Sequence, residues 1–213
     1  MTARKRNAPL VTLHDAPWFN LRAIVDYSPT AVLAMPEERT ALGSFLGSYG
    51  VELPPSRSRD EDADPLAKLQ AFLARPAGVN PSRFSDGSFP IVYMGDSPET
   101  GLAEISYHLG RALGETRAAK VRTHYFLLAR FLLTGESLDV RKGFPALHLP
   151  DDWGPAQSFG RQARSEDRCG ILFRAVRRKG YGNLAVMRQA FAKSGNRIQV
   201  VGLRWDGFGV SRI

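Results

Sequence analysis

The chain has 213 residues, of which 43% are hydrophobic and 23% charged, which is typical of a globular protein with one sizeable core. No apolar run approaches the roughly 20 residues that a membrane helix requires, and the basic start of the chain lacks the apolar stretch of a signal peptide. The single cysteine, Cys169, excludes an internal disulfide and a cysteine-based metal cluster. We therefore expect a cytoplasmic protein without a membrane segment.

The net charge of +8 makes the protein strongly basic. Residues 151–213 contain 12 Lys or Arg against 5 Asp or Glu, so they carry most of the excess. These cations are spread along predicted strands and helices, and neither an RNP motif nor zinc-finger spacing is present. A basic surface suits nucleic acid, an acidic protein or an anionic small molecule such as a dinucleotide, and charge alone does not choose among them.

The predicted elements of the N-terminal part are two helices. The first 20 or so residues are expected to form a loosely held arm, and a helix is expected to begin near Pro36. A polar, charged loop spans residues 54–64, and Asp64 followed by Pro65 indicates the start of a second helix. Its predicted apolar stripe consists of Leu66, Leu69, Phe72 and Leu73.

The remaining chain mixes strands and helices without strict alternation, which favours an α+β fold. Residues 90–94 predict a short strand, after which Ser97 is the expected N-cap of a helix that begins at Pro98 and runs to about Leu113. Further strands are predicted within 121–133, 170–176, 183–187 and 199–205, and a helix within 155–166. The two commonest phosphate-loop signatures are absent from the sequence.

Three side chains between residues 82 and 108 are candidates for chemistry. Glu104 lies opposite the apolar stripe of its predicted helix, so it faces either water or a cleft. By spacing alone it could equally form a solvated pair with His108, while Tyr93 could be core packing and Arg83 a solvated charge. Together, however, a loop arginine, a strand-end tyrosine and a helix-face glutamate could converge at the lip of one sheet.

Such a combination suits NAD+ as a substrate. The guanidinium of Arg83 can donate two hydrogen bonds to a diphosphate, and the ring of Tyr93 can stack on nicotinamide. Cleavage of the nicotinamide–ribose bond builds positive charge on the ribose, which the carboxylate of Glu104 can stabilise, as in glycoside hydrolysis.

Three blocks of the sequence resemble a known family. The segment SRFSDGSFPIVYMGDSPETGLAEISYHL resembles the RES domain family of bacterial toxins, with Arg83, Tyr93 and Glu104 where the family has its functional Arg, Tyr and Glu and with gaps of ten and eleven residues. The segment DDWGPAQSFGRQARSEDRCGILFRAVRRKGYGNLAVM resembles the later helix, strand, loop and strand of the family, with Gln157 and Arg177 in matching places. The closing LRWDG resembles the end of one branch.

The resemblance extends over about residues 71–213, which we predict to be an NAD-binding catalytic core, with residues 1–70 as an N-terminal arm and helical extension packed on it. One departure is Ala175, which stands where the family has its serine, and Ser85 could substitute for that serine. The predicted NAD+-binding residues are Arg83, Ser85, Tyr93, Arg177 and Asn183, and the predicted catalytic residues are Glu104, Tyr93 and Arg83. No metal is expected, because the histidines lack metal-ligand spacing.

The resemblance implies an ADP-ribosyltransferase-like fold, in which a central split mixed β-sheet is flanked by helices. It implies a toxin of a toxin–antitoxin system that consumes NAD+ by hydrolysis, by phosphorolysis or by ADP-ribosyl transfer to a host protein such as an enzyme of nucleotide biosynthesis. It also implies an Xre-type antitoxin that covers the active site. DNA would be bound only indirectly, through this antitoxin. Two alternatives stay open: a catalytically silent relative that only binds its partner, and a basic nucleic-acid-binding protein.

Overall fold

The computed structural model describes residues 8–23, 64–76, 81–115, 122–150 and 152–213. The helix expected near Pro36 and the loop at 54–63 lie outside the described residues. The described α-helices are α1 (Pro65–Leu73), α2 (Pro98–Glu115) and α3 (Gly154–Ser165), with 3₁₀ helices at Pro145–His148 and Gln189–Phe191. The strands are β1 (Leu10–Ala23), β2 (Val92–Gly95), β3 (Arg122–Asp139), β4 (Gly170–Arg174), β5 (Gly182–Val186), β6 (Ala192–Trp205) and β7 (Val210–Arg212).

The described strands form one seven-stranded mixed sheet in the order β1-β2-β5-β4-β3-β6-β7. β3 and β4 run parallel, whereas the other pairs described are antiparallel. The predicted α+β class, with helices flanking a large mixed sheet, is confirmed. The likeness to the split sheet of ADP-ribosyltransferases stays a prediction.

The expectation of a loose N-terminal arm is wrong for residues 10–23, which form β1. This strand pairs with β3 along its length, interrupted by an irregularity between Leu13 and Ala16. Leu13 and Trp18 are each only 6% exposed, so burial of their side chains holds the strand against the core. The predicted division of the chain at residue 70 stays a prediction.

A second pairing of β1 closes part of the sheet on itself. Phe19 of β1 pairs with Gly95 of β2, while β1 also pairs with β3. Since β2 continues to β5, β5 to β4 and β4 to β3, five strands form a closed circuit of backbone pairing.

The helix starts agree with the sequence predictions. The Asp64 carboxylate accepts hydrogen bonds from the backbone of Leu66 and Ala67, and the Ser97 hydroxyl accepts one from the backbone of Thr100. The stripe of α2 predicted from the sequence packs on β3 and β6 through Leu102, Ile105 and Leu109. None of the helices in the described ranges is both long and apolar enough to cross a membrane.

Helix α3 approaches the turn over residues 82–85 very closely. The contact is made at Gly160, where a Cβ atom would lie 1.9 Å from the carbonyl oxygen of Phe84. Phe84 is fully buried beneath the helix, in a cluster with Ala156 and Ala163. A residue without a side chain is therefore required for the turn and the helix to touch.

We predict that Gly160→Ala lowers the free energy of unfolding by about 1–3 kcal/mol, because the added methyl group displaces either α3 or the turn. Gly114→Ala is the matched control, since a Cβ at that helical position meets nothing within 4 Å. The control should stabilise the protein by about 0.5–1 kcal/mol through helix propensity. Denaturant unfolding measures both, and equal stability of the two variants would contradict the close contact.

Candidate functional site

A cleft of about 670 Å³ opens between α1, α2 and the strands β1, β2 and β3. Its volume is within the roughly 300–1,000 Å³ typical of small-molecule sites. Five of the six residues proposed from the sequence line it: Arg83, Tyr93, Glu104, Arg177 and Asn183. These residues are distant in sequence and belong to a turn, a strand, a helix, a loop and a second strand.

The lining of the cleft combines apolar and polar side chains. The apolar lining from α1, β1 and β3 includes Leu69, Phe72, Phe19, Leu21, Leu127, Ala129 and Phe131. The polar lining includes the five residues named above together with Asn20, Lys68, Ser82, Tyr107, His108 and Arg111. A ligand that fills the cleft would therefore meet both a polar and an apolar wall.

The turn that carries Arg83 is held by side chains from two other elements. The Tyr93 hydroxyl donates to Ser82 Oγ (3.0 Å) and accepts from the backbone N–H of Phe84 (3.0 Å). The Gln157 amide of α3 donates to the carbonyl of Ser82 (3.0 Å). The burial of Tyr93 raises the pKa of its phenol, so the hydroxyl stays protonated and keeps its donor. The backbone of Arg83 is thus fixed on both sides.

The guanidinium of Arg83 is fixed separately. Its Nη1 donates to the carbonyl oxygens of Leu147 (3.2 Å) and Leu149 (2.7 Å). No hydrogen bond among the described residues uses Nε or Nη2, so these two donors can bind a ligand, and together they form the fork that suits a phosphate. Burial lowers the pKa of Arg83, although an arginine remains charged at neutral pH.

The carboxylate of Glu104 is oriented by two donors. Its Oε1 accepts from Asn183 Nδ2 (3.0 Å) and from the backbone N–H of Arg177 (3.4 Å). Asn183 is only 5% exposed, so its amide has little freedom to turn away. Since both described hydrogen bonds use Oε1, Oε2 is left for a ligand. The sequence allowed Glu104 to face either water or a cleft, and in the structure it lines the cleft.

Arg177 and Tyr107 both line the cleft. The Arg177 guanidinium lies 3.3 Å from the centre of the Tyr107 ring, a cation–π contact that orients the group. Its positive charge also contributes to the lowered pKa of Arg83, which lines the same cleft. His108 lies beside them, and partial burial lowers its pKa, so it is neutral at pH 7.

The structure does not bring Ser85 to the cleft. Ser85 is 1% exposed, and its hydroxyl donates to the carbonyl of Phe89 (2.6 Å) and accepts from the backbone of Gly87 (3.1 Å). The hydroxyl therefore stabilises the 85–89 turn and cannot substitute for the serine that Ala175 replaces. Ala175 is itself buried at the end of β4.

Several contacts in the site could not be predicted from the sequence. Asn20 donates from Nδ2 to the carbonyl of Tyr93 (2.8 Å), although it lies in the segment expected to be a loose arm. His148 lies between the two residues whose carbonyls hold Arg83. Within the described ranges, no three His, Cys, Asp or Glu side chains come together as a possible metal site.

The chain is similar to known proteins in both sequence and structure. The family model described as "RES domain" matches residues 55–206. A chain in the crystal structure of the M. tuberculosis MbcT–MbcA toxin–antitoxin complex is similar with a TM-score of 0.41 and 17% sequence identity, over 55% of this chain and 72% of that chain. No curated protein matches the sequence.

We predict that Tyr93→Phe lowers the free energy of unfolding by about 1–3 kcal/mol, because the backbone N–H of Phe84 loses its partner in a buried turn. Tyr181→Phe is the matched control, since that side chain is 42% exposed. Denaturant unfolding measures the difference. If the two variants unfold alike, the Tyr93 hydroxyl does not hold the turn.

Proposed function

Because this chain belongs to the RES domain family, we propose that it binds NAD+ and cleaves the bond between nicotinamide and ribose. The observation that carries the proposal is the convergence of Arg83, Glu104 and Asn183 in one cleft. These residues supply a fixed cation for a diphosphate and an oriented carboxylate for the reacting sugar. The same three residues on separate surfaces would have supported no such reaction.

In the proposed reaction the bond from ribose C1′ to the nicotinamide nitrogen breaks, and its electron pair leaves with nicotinamide. Nicotinamide departs as a neutral base, so no strong general acid is needed. Positive charge develops at C1′, where Oε2 of Glu104 stabilises it directly or holds a ribose hydroxyl. The bonds from Asn183 and the Arg177 backbone to Oε1 keep the carboxylate oriented before the substrate arrives, so little reorganisation is needed.

Substrate binding is assigned to the two arginines at the cleft. Arg83 offers Nε and Nη2 to the diphosphate, and the stacked guanidinium of Arg177 offers a second cation in the cleft. The Tyr93 hydroxyl is occupied by Ser82 and Phe84, so we assign Tyr93 mainly to holding the Arg83 turn, with its ring as part of the cleft wall. Nicotinamide stacking remains available to that ring.

The biological role proposed is that of a toxin whose cytoplasmic partner is an antitoxin covering this cleft. This role, and the Xre type of the antitoxin, follow from the resemblance to the RES family. The acceptor of the ADP-ribosyl group is water, phosphate or a protein side chain. Purified protein incubated with NAD+, with and without phosphate and cell lysate, distinguishes the three when products are identified by mass spectrometry. Bound NAD+ that is never consumed would support the silent alternative instead.

We predict that Glu104→Gln reduces the rate of NAD+ loss by about 100-fold or more, because the charge that stabilises the developing cation is removed. The amide retains the size of the side chain, so NAD+ affinity should change little. Glu99→Gln is the matched control, since Glu99 is exposed on the first turn of the same helix. An active Glu104→Gln variant would exclude Glu104 from the reaction.

We predict that Arg83→Ala raises the dissociation constant for NAD+ by about 10- to 100-fold, because charge-assisted hydrogen bonds to phosphate are lost. Arg130→Ala is the control, since Arg130 is exposed on β3 away from the cleft. Calorimetric titration in the Glu104→Gln background measures affinity without turnover. An unchanged dissociation constant would remove Arg83 from the phosphate site.

A further inference from the structure

His148 holds two segments of the chain together through both of its ring nitrogens. Nε2 lies 3.2 Å from the backbone nitrogen of Arg174, which can only donate, so Nε2 must be the acceptor. Nδ1 lies 2.8 Å from the carbonyl oxygen of Phe144, which can only accept, so Nδ1 must carry the proton. Both contacts are satisfied together only by the neutral imidazole with its proton on Nδ1.

The contact to Arg174 takes the place of a backbone hydrogen bond between β3 and β4, because β3 has ended at this point. β3 pairs with β4 as far as Asp139, opposite Leu172, and the chain then turns away at residues 141–143. The backbone N–H of Arg174 lies beyond the last pair of that ladder, and His148 accepts its hydrogen bond. The 3₁₀ helix at Pro145–His148 is thereby fastened to the end of β4.

The residues that adjoin His148 also hold the Arg83 guanidinium. The carbonyls that accept from Arg83 Nη1 belong to Leu147, within the 3₁₀ helix, and to Leu149, directly after it. Because both acceptors are bonded to His148 through the chain, a shift of His148 is expected to shift them. The imidazole also lies 6.5 Å from the ring of Phe173, which in turn packs edge-on against Tyr93.

We propose that His148 is a positioning residue that aims Arg83 at the anionic part of the substrate by fastening the 145–149 segment to β4. This inference rests on the proposed function, in which Arg83 binds the diphosphate of NAD+. His148 itself does not line the cleft and touches no reacting atom.

The fastening depends on pH because only the neutral ring makes both contacts. The charged groups that act on His148 are Arg174 of β4 and Arg83 of the turn, and both are cations. Burial, together with these charges, lowers the pKa of His148 below its ordinary value of 6.5 and outweighs the hydrogen bond to the Phe144 carbonyl, which raises it. The hydrogen bond from Arg174 is therefore formed at neutral pH and is lost as the pH falls through this lowered pKa, where Nε2 gains a proton.

The first test measures NAD+ binding in the Glu104→Gln background. We expect His148→Leu to raise the dissociation constant about tenfold, and His148→Gln, which keeps an acceptor for Arg174, to raise it less. In active protein, His148→Leu should raise KM while kcat changes by less than about threefold. His14→Leu, at an exposed position on β1, is the control.

A double-mutant cycle separates positioning from general damage. If His148 acts through Arg83, His148→Leu should have almost no effect on NAD+ affinity once Arg83→Ala is present. An undiminished effect in the Arg83→Ala background would overturn the proposal. So would affinities of wild type and His148→Leu that fall in parallel as the pH is lowered through the titration of the His148 ring, followed by its ¹⁵N shifts, since only the wild type carries that imidazole whereas His108 of the cleft is present in both.

A spectroscopic test works without NAD+ and so distinguishes failure of this inference from failure of the proposed function. The ¹⁵N chemical shifts of the His148 ring should identify the neutral form with its proton on Nδ1. The Arg83 Nε–H signal, assigned through Arg83→Lys, should shift and exchange faster in His148→Leu but not in His14→Leu. A proton on Nε2, or an unchanged Arg83 signal in a folded His148→Leu variant, would overturn the proposal even if NAD+ is bound and cleaved.

Discussion

Pairing along β3 is the constraint on which both the sheet and the cleft depend. This strand of 18 residues pairs with β1 and β6 on its two edges and with β4 near its end. Its side chains at Leu127, Ala129 and Phe131 form part of the apolar lining of the cleft. β4 pairs with the end of β3 on one edge and with β5 on the other, and β5 carries Asn183. The end of β3 therefore helps to position Asn183, whose amide orients the Glu104 carboxylate.

Local features of the fold could be predicted from the sequence, and long-range pairing could not. The Asp64 and Ser97 caps depend on a few neighbouring residues, and both helices begin where those residues indicated. β1 was missed because its stability comes from burial of residues such as Trp18 against distant β3, which no local pattern reports. β3 extends beyond the predicted end near Leu133 to Asp139, because β1 and then β4 continue to supply partners.

In the candidate site, too, the residue types could be predicted from the sequence, but the long-range contacts could not. The types and spacing of Arg83, Tyr93 and Glu104 indicated a common site, and the structure brings the three to one cleft. Their individual tasks depend on contacts made on folding: the Tyr93 hydroxyl is directed at the Arg83 turn, and Ser85 is withdrawn into a neighbouring turn. His148 carried no signal in the sequence, because its importance lies in which backbone atoms happen to adjoin its two nitrogens.

The closed circuit of five strands limits how the cleft can change shape. Two lobes joined by a hinge can part to admit a large ligand, but here the walls formed by β1, β2 and β3 are linked through continuous backbone hydrogen bonds. Parting them would break a strand pair, as at Phe19 and Gly95. Any widening or narrowing of the cleft therefore has to come from its other walls, which are α1, α2 and the Arg83 turn.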